Sequence, residues 1–184
     1  VSTSHGEVPS ASTLALAPSV DVWGMNVYRW DYSQQAITDF AAMSDKPCYL
    51  SETGGDSYNS APSHPTYPFG ASEQMQADAT QALLAGVFDV LDVGSGVTLF
   101  EFSDEWWKAD CDPTTSWLTQ DGCASSQNFG YPDPNINEEW WGICAKGYPD
   151  ERGVYDVYPR AAYYALRDAF RLDPYGADTD LRTI

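Results

Sequence analysis

In KPCYLSETGG, residues 46–55, an apolar run ends on a carboxylate. Pro47 to Ser51 reads as a strand buried on both faces, and Glu52 arrives where the run stops, followed by Thr53 and two glycines. Other chemistry-bearing groups follow the other apolar runs: His5, then Asn26 and Tyr28, then Asp104, Glu105, Trp106 and Trp107. Carboxylates and amides beside indole rings suit carbohydrate. A sugar ring offers a flat C–H face to stack on tryptophan, and its hydroxyls need carboxylate and amide partners. Cleaving a glycosidic bond with retention takes one carboxylate as nucleophile and a second about 5–5.5 Å away as acid/base. Tyr28 on the preceding strand can hydrogen-bond Glu52, keeping it ionised and aimed. Asn26, His5 and Asp104 would then contact substrate, and Trp106 or Trp107 would floor the subsite. Each residue alone has an ordinary reading, as a solvated strand-end acid, a satisfied structural histidine or packed tryptophans. Their recurrence at successive strand ends favours the functional one.

Those residues need elements to hold them. VDVWGMNVY (20–28) alternates Trp23, Met25 and Val27 against Val22, Gly24 and Asn26, as a strand does. Residues 33–45 carry Ile37, Phe40 and Ala41 at helical spacing, with Ser33 as N-cap. A strand over 47–52 follows. Residues 72–93 form a helix with the stripe Met75, Ala79, Leu83, Gly86, Val87 and Val90, capped by Ser72. VTLFEF (97–102) is the next strand, and 159–173 is a closing helix with Pro159 in its first turn. The opening VSTSH reads as the end of a further strand. Strands alternating with helices imply a parallel sheet with helices outside. In a (β/α)8 barrel, catalytic groups gather at the C-terminal ends of the strands, where these residues fall. No glycine-rich phosphate loop follows any strand, which argues against a nucleotide-binding domain.

The 184 residues suffice for one domain with a real core, and 43% are hydrophobic. The net charge of −18 opposes binding to nucleic acid or to anionic membrane surfaces. No apolar run reaches the roughly 18 residues that a membrane helix needs. The opening residues lack the features of a signal peptide and begin mid-strand without Met, as expected of a piece of a longer protein. With four cysteines, two histidines and no CxxC pair, a metal centre is not expected, nor is any cofactor. Cys111 and Cys123 bracket the polar loop DCDPTTSWLTQDGC, which a disulfide would staple in an exported protein; reduced cysteines are the alternative, and Cys48 reads as a small core residue. The stretch 109–157 is too long for a routine connection and reads as an acidic, aromatic insert. Its Asp110, Asp112 and Asp121 could hold calcium, but their spacing matches no EF-hand loop, and a solvated acidic loop held by the cysteines is the default.

VDVWGMNVYRW and KPCYLSETGGDSY resemble the sixth and seventh strands of clan A glycoside hydrolases. The sixth-strand pattern is met by Asp21, Gly24, Asn26 and Tyr28, and the seventh by Lys46, Pro47, Ser51, Glu52 and Gly54. VTLFEFSDEWWK is similar to the eighth strand, whose end supplies an aromatic floor. YPRAAYYALRDAF is similar to the closing helix of family 2 type barrels and of β-1,3-glucanosyltransferases. The resemblance implies a TIM (β/α)8 barrel of which this chain is the C-terminal half, about strands 5–8, with the insert after strand 8. It makes Glu52 the nucleophile of a retaining glycoside hydrolase or transglycosylase acting on a β-linked glucan-like polysaccharide, secreted or in the cell wall. The acid/base of the clan, a Glu in an Asn-Glu pair on the fourth strand, would come from the N-terminal half of the barrel, in the same or a separate chain. Asn137-Glu138 lies after the eighth strand and is not given that role. Around it, Trp140 and Trp141 would pack over the barrel mouth or line a sugar groove. The rival expectation is a non-catalytic extracellular scaffold or carbohydrate-binding protein on the same fold.

Overall fold

The structure is a computed structural model that describes residues 1–29, 32–108, 118–127 and 132–173. Three strand–helix units in a row build its centre. Strand β1 (Ser2–Gly6) leads through helix α1 (Ala11–Leu16) to β2 (Val22–Asn26). Helix α2 (Gln35–Ala41) connects β2 to β3 (Cys48–Thr53), and helix α3 (Glu73–Phe88) connects β3 to β6 (Gly94–Leu99). The four strands form one sheet in the order β1-β2-β3-β6, every pairing parallel. The fold is thus mixed α/β with a parallel sheet, as the alternating pattern predicts.

One face of the sheet is apolar and the other polar. Trp23, Met25, Val27, Cys48 and Leu50 form a buried cluster with Ala36, Ile37 and Phe40 of α2 and Val87 of α3. On the other face, Ser4 Oγ and Ser51 Oγ both donate to Asn26 Oδ1, at 2.6 and 2.7 Å. Gly24 lies beneath them, and a Cβ there would come within 2.8 Å of Ser51 Oγ. The need for a small residue here is steric: a side chain at 24 would displace the hydroxyl ladder.

Several local expectations are corrected. Helix α2 starts at Gln35 behind Gln34, without a side-chain cap, and the Ser33 hydroxyl instead accepts from Arg29 N at 3.0 Å. Ser72 precedes α3 but makes no capping hydrogen bond. Helix α4 (Ala161–Ala169) follows Arg160, because Pro159 is the last residue of a strand. Strand β6 runs from Gly94 to Leu99 rather than over 97–102, so the glycines at 94 and 96 lie within it.

Where described, the 109–157 segment is more ordered than a loop. It contains the short pair β7 (Ser126–Gln127) and β8 (Asn135–Ile136), a 3₁₀ turn (Glu138–Trp140), and a hairpin of β9 (Cys144–Pro149) and β10 (Tyr155–Pro159). A second short pair, β4 (Tyr58–Asn59) and β5 (Gly70–Ala71), lies in the connection between β3 and α3. Cys48 and Cys144 are buried free thiols, and burial pushes both thiols up. Cys111, Asp110 and Asp112 lie outside the described residues. No group of metal-ligating side chains occurs among the described residues, and none of their helices is long and apolar enough to cross a membrane.

Candidate active site

Strict alternation along β3 would send Glu52 to the same side as Cys48 and Leu50, into the core. The register with β2 breaks before that happens: Met25 pairs with Leu50, but Asn26 pairs with Glu52, skipping Ser51. Such an irregularity re-aims the side chains beyond it. Glu52 thereby leaves the core face and lines a cavity of about 320 Å3 at the C-terminal ends of β2, β3 and β6. Its other walls are Tyr28, Phe100, Lys108, Ile136, Glu138 and Trp141.

Tyr28 Oη donates to Glu52 Oε2 at 3.1 Å. Burial, and next the Glu52 charge, raise the phenol above its ordinary value, so it stays a donor at any physiological pH. The backbone reinforces this contact, with Val27 N donating to Glu52 O at 2.8 Å. Arg29 holds the loop beyond β2 by bonding Asp39 and Glu7, each at 3.0 Å through Nη1 and Nε. The Tyr28 ring meets Trp141 edge-on, with centroids 5.0 Å apart, and Phe100 lies 6.0 Å from the same indole.

Trp141 comes from the insert, and four sets of contacts fix it and the backbone around it. After Glu52, Thr53 O accepts from Phe100 N at 2.8 Å, and a Cβ on Gly54 would overlap the Phe100 carbonyl. The glycine is needed there for close backbone approach. Gln76 of α3, fully buried, then directs its amide nitrogen at Gly55 O, Trp141 O and Gly142 O, at 3.1, 3.1 and 3.2 Å. Residues 141–144 run beside 101–104, with Glu101 N donating to Trp141 O and Ile143 N to Glu101 O. Finally, Arg160 forms a fork on Asp104, Nη1 to Oδ1 and Nη2 to Oδ2, both 2.6 Å, while Nη1 also reaches Gly142 O at 2.6 Å. Asp104 in turn accepts from Gly142 N at 3.1 Å and Gln120 Nε2 at 2.9 Å.

Lys108 supplies positive charge to the cavity. Its ammonium pairs with Glu105, lies 3.9 Å from Glu138 Oε2, and stands 4.5 Å above the Phe100 ring. Burial pulls its pKa down, but the carboxylates of Glu105, Glu101 and Glu138 outweigh that and raise it. Behind it, burial and then the Glu105 charge push Glu101 up to about 8.

Of the residues expected at the site, Glu52 and Tyr28 come together in the cavity, and Asn26, His5, Asp104, Trp106 and Trp107 are not among its lining residues. Asn26 is engaged by Ser4 and Ser51. His5 meets the core indole of Trp23 with centroids 6.1 Å apart. Asp104 is buried under Arg160. Trp106 is buried against Tyr148 and Tyr155, with Lys146 Nζ 4.8 Å from its ring, and Trp107 is exposed beside the same lysine. The aromatic walls come instead from Phe100, within the expected strand, and from Trp141, one of the two readings its pair allowed. Lys108 carried no signal in sequence.

The chain superposes on a β-D-glucuronidase of Dictyoglomus thermophilum with a TM-score of 0.53 at 19% identity, over 94% of this chain and 26% of that one. A GH2 β-galacturonidase of Eisenbergiella tayi gives 0.53 at 20%, over 96% and 28%. The β-glucuronidase of Ruminococcus gnavus gives 0.56 at 16%, over 94% and 26%. The likeness is one of fold. It supports a glycoside hydrolase fold for a chain that spans about a quarter of each of those proteins. No family model and no curated protein matches the sequence.

Proposed function

We propose that this chain is the C-terminal half of a (β/α)8 barrel, about strands 5–8, from an exported retaining glycoside hydrolase or transglycosylase that acts on a β-linked glucan-like polysaccharide. The observation that carries the reading is the Tyr28–Glu52 hydrogen bond inside a cavity walled by Phe100 and Trp141 at the ends of parallel strands. Glu52 attacks the anomeric carbon, Tyr28 holds the attacking carboxylate, and the two aromatic rings face the sugar. The acid/base and the rest of the barrel come from a segment outside these residues. The names of the superposed structures, all glycosidases, favour glycoside cleavage. Free thiols at Cys48 and Cys144 favour a Cys111–Cys123 disulfide, which intact-mass analysis after alkylation without reduction tests by labelling two cysteines rather than four.

The direct test is Glu52→Gln in the complete gene product, assayed on β-linked glucans and aryl β-glycosides. Loss of a charged nucleophile is expected to lower kcat by at least about a thousandfold. Undiminished cleavage rules out the assignment.

A further inference from the structure

The charge of the cavity bears on which glycosyl unit it accepts. A hexuronate carries a carboxylate, and a protein site that takes one presents an uncommitted cation to it. Among the described residues lining this cavity, Lys108 is the cation, and it is committed. Glu105 pairs with its ammonium, Glu138 Oε2 lies 3.9 Å away, and the Phe100 ring centroid lies 4.5 Å from it. Glu52 and Glu138 face the cavity themselves. Two carboxylates thus hold the one ammonium and a third, Glu52, faces the same cavity before any ligand arrives, so a fourth would enter against net negative charge.

We infer that the cavity takes a neutral glycosyl unit and discriminates against hexuronates, with Glu138 and Glu105 as the specificity-determining residues because they hold Lys108. This rests on reading the cavity as a glycosyl subsite. The device is repulsive as well as neutralising. A carboxylate on the sugar would have to displace Glu138 or Glu105 from Lys108, stranding one acid in a half-buried pocket. A neutral sugar disturbs neither pair, stacks on Phe100 or Trp141, and donates hydroxyl protons to Glu138.

The experiment compares matched pairs on the complete gene product: 4-nitrophenyl β-D-glucoside with β-D-glucuronide, and β-D-galactoside with β-D-galacturonide. Direct calorimetric binding of glucose, galactose, glucuronate and galacturonate is measured alongside. The neutral member is expected to lead in kcat/KM by roughly tenfold or more, the effect of one added charge near the carboxylates. Glu138→Gln and Glu105→Gln are each expected to move that ratio about three- to tenfold toward the uronide by freeing Lys108. A parent enzyme that prefers the uronide, or ratios unmoved in both variants, overturns the inference while leaving glycosidase activity standing. If no glycoside is cleaved, the proposed function falls, and binding decides the inference. Preference for the neutral sugar retains it; preference for the acid, equal binding, or binding of neither overturns it.

Discussion

Arg160→Met removes the cation that anchors the insert over the sheet, and its cost follows from the contacts. The Arg160 and Asp104 side chains are 4% and 0% exposed, and the arginine donates three hydrogen bonds of 2.6 Å, two to Asp104 and one to Gly142 O. Methionine keeps the apolar stem but leaves the buried Asp104 side chain with amide donors alone, Gly142 N, Gln120 Nε2 and, at 3.4 Å, Lys146 N. Breaking a buried pair from one side costs about 3–5 kcal/mol. For a domain of this size each kcal/mol lowers the melting temperature by about 2–4 °C, so a fall of roughly 6–20 °C is expected. The assay is calorimetric melting of the complete gene product beside Asp104→Leu and the Asp104→Leu/Arg160→Met double variant. The double variant should recover part of the loss, since it no longer buries an unpaired charge. A fall below about 2 °C for Arg160→Met, or strictly additive losses in the double variant, refutes the anchoring argument.

Gln76→Leu strips the donor that Gly55, Trp141 and Gly142 share, leaving buried carbonyls short of partners. A loss of about 1–3 kcal/mol by denaturant unfolding is expected, with a fall in kcat/KM beyond that of a matched core substitution such as Leu83→Ala. Tyr28→Phe deletes one hydrogen bond to a carboxylate and should lower kcat/KM about ten- to a hundredfold with the melting temperature little changed; an activity equal to the parent's shows that Glu52 needs no such partner. Glu101, with a native value of about 8 against an ordinary 4.5, binds its proton more tightly folded than unfolded. Its stabilising contribution is therefore full below about pH 4.5 and is lost as pH rises through about 8. Melting curves from pH 5 to 9 should show this decline, and Glu101→Gln should flatten it.

The parallel sheet was readable because its strands combine β-branched or aromatic alternation with helical stripes between them. Glu52 was readable as the end of β3, but the skipped pairing at Ser51 was not. Alternation alone assigns Glu52 to the core side, and only the register with β2 turns it toward Tyr28. Asp104 and Trp106 looked like site residues because they follow an apolar strand. What buries them is Arg160 and the β9–β10 hairpin, partners more than forty positions away in the case of Lys146, and no local pattern announces such contacts. The hairpin itself is largely exposed along Tyr155–Pro159, so it lacked the buried alternation by which strands are recognised. Trp141 reaches the cavity through Gln76 and Asp104, a buried amide and a buried acid whose targets are backbone carbonyls and amides. Lys108 was invisible for the same reason: its role depends on Glu105, Glu138 and Phe100 converging on it.

The central claim is that Glu52 is a nucleophile, and covalent trapping reads this directly. The complete gene product is incubated with activated 2-deoxy-2-fluoro β-glycosides of the gluco and galacto series, which slow the breakdown of a glycosyl–enzyme ester, and is then digested for peptide mass mapping. The account predicts one added deoxyfluoroglycosyl unit on the peptide that contains Glu52, absent in Glu52→Gln. An adduct on another carboxylate, or equal labelling of the Glu52→Gln variant, contradicts it.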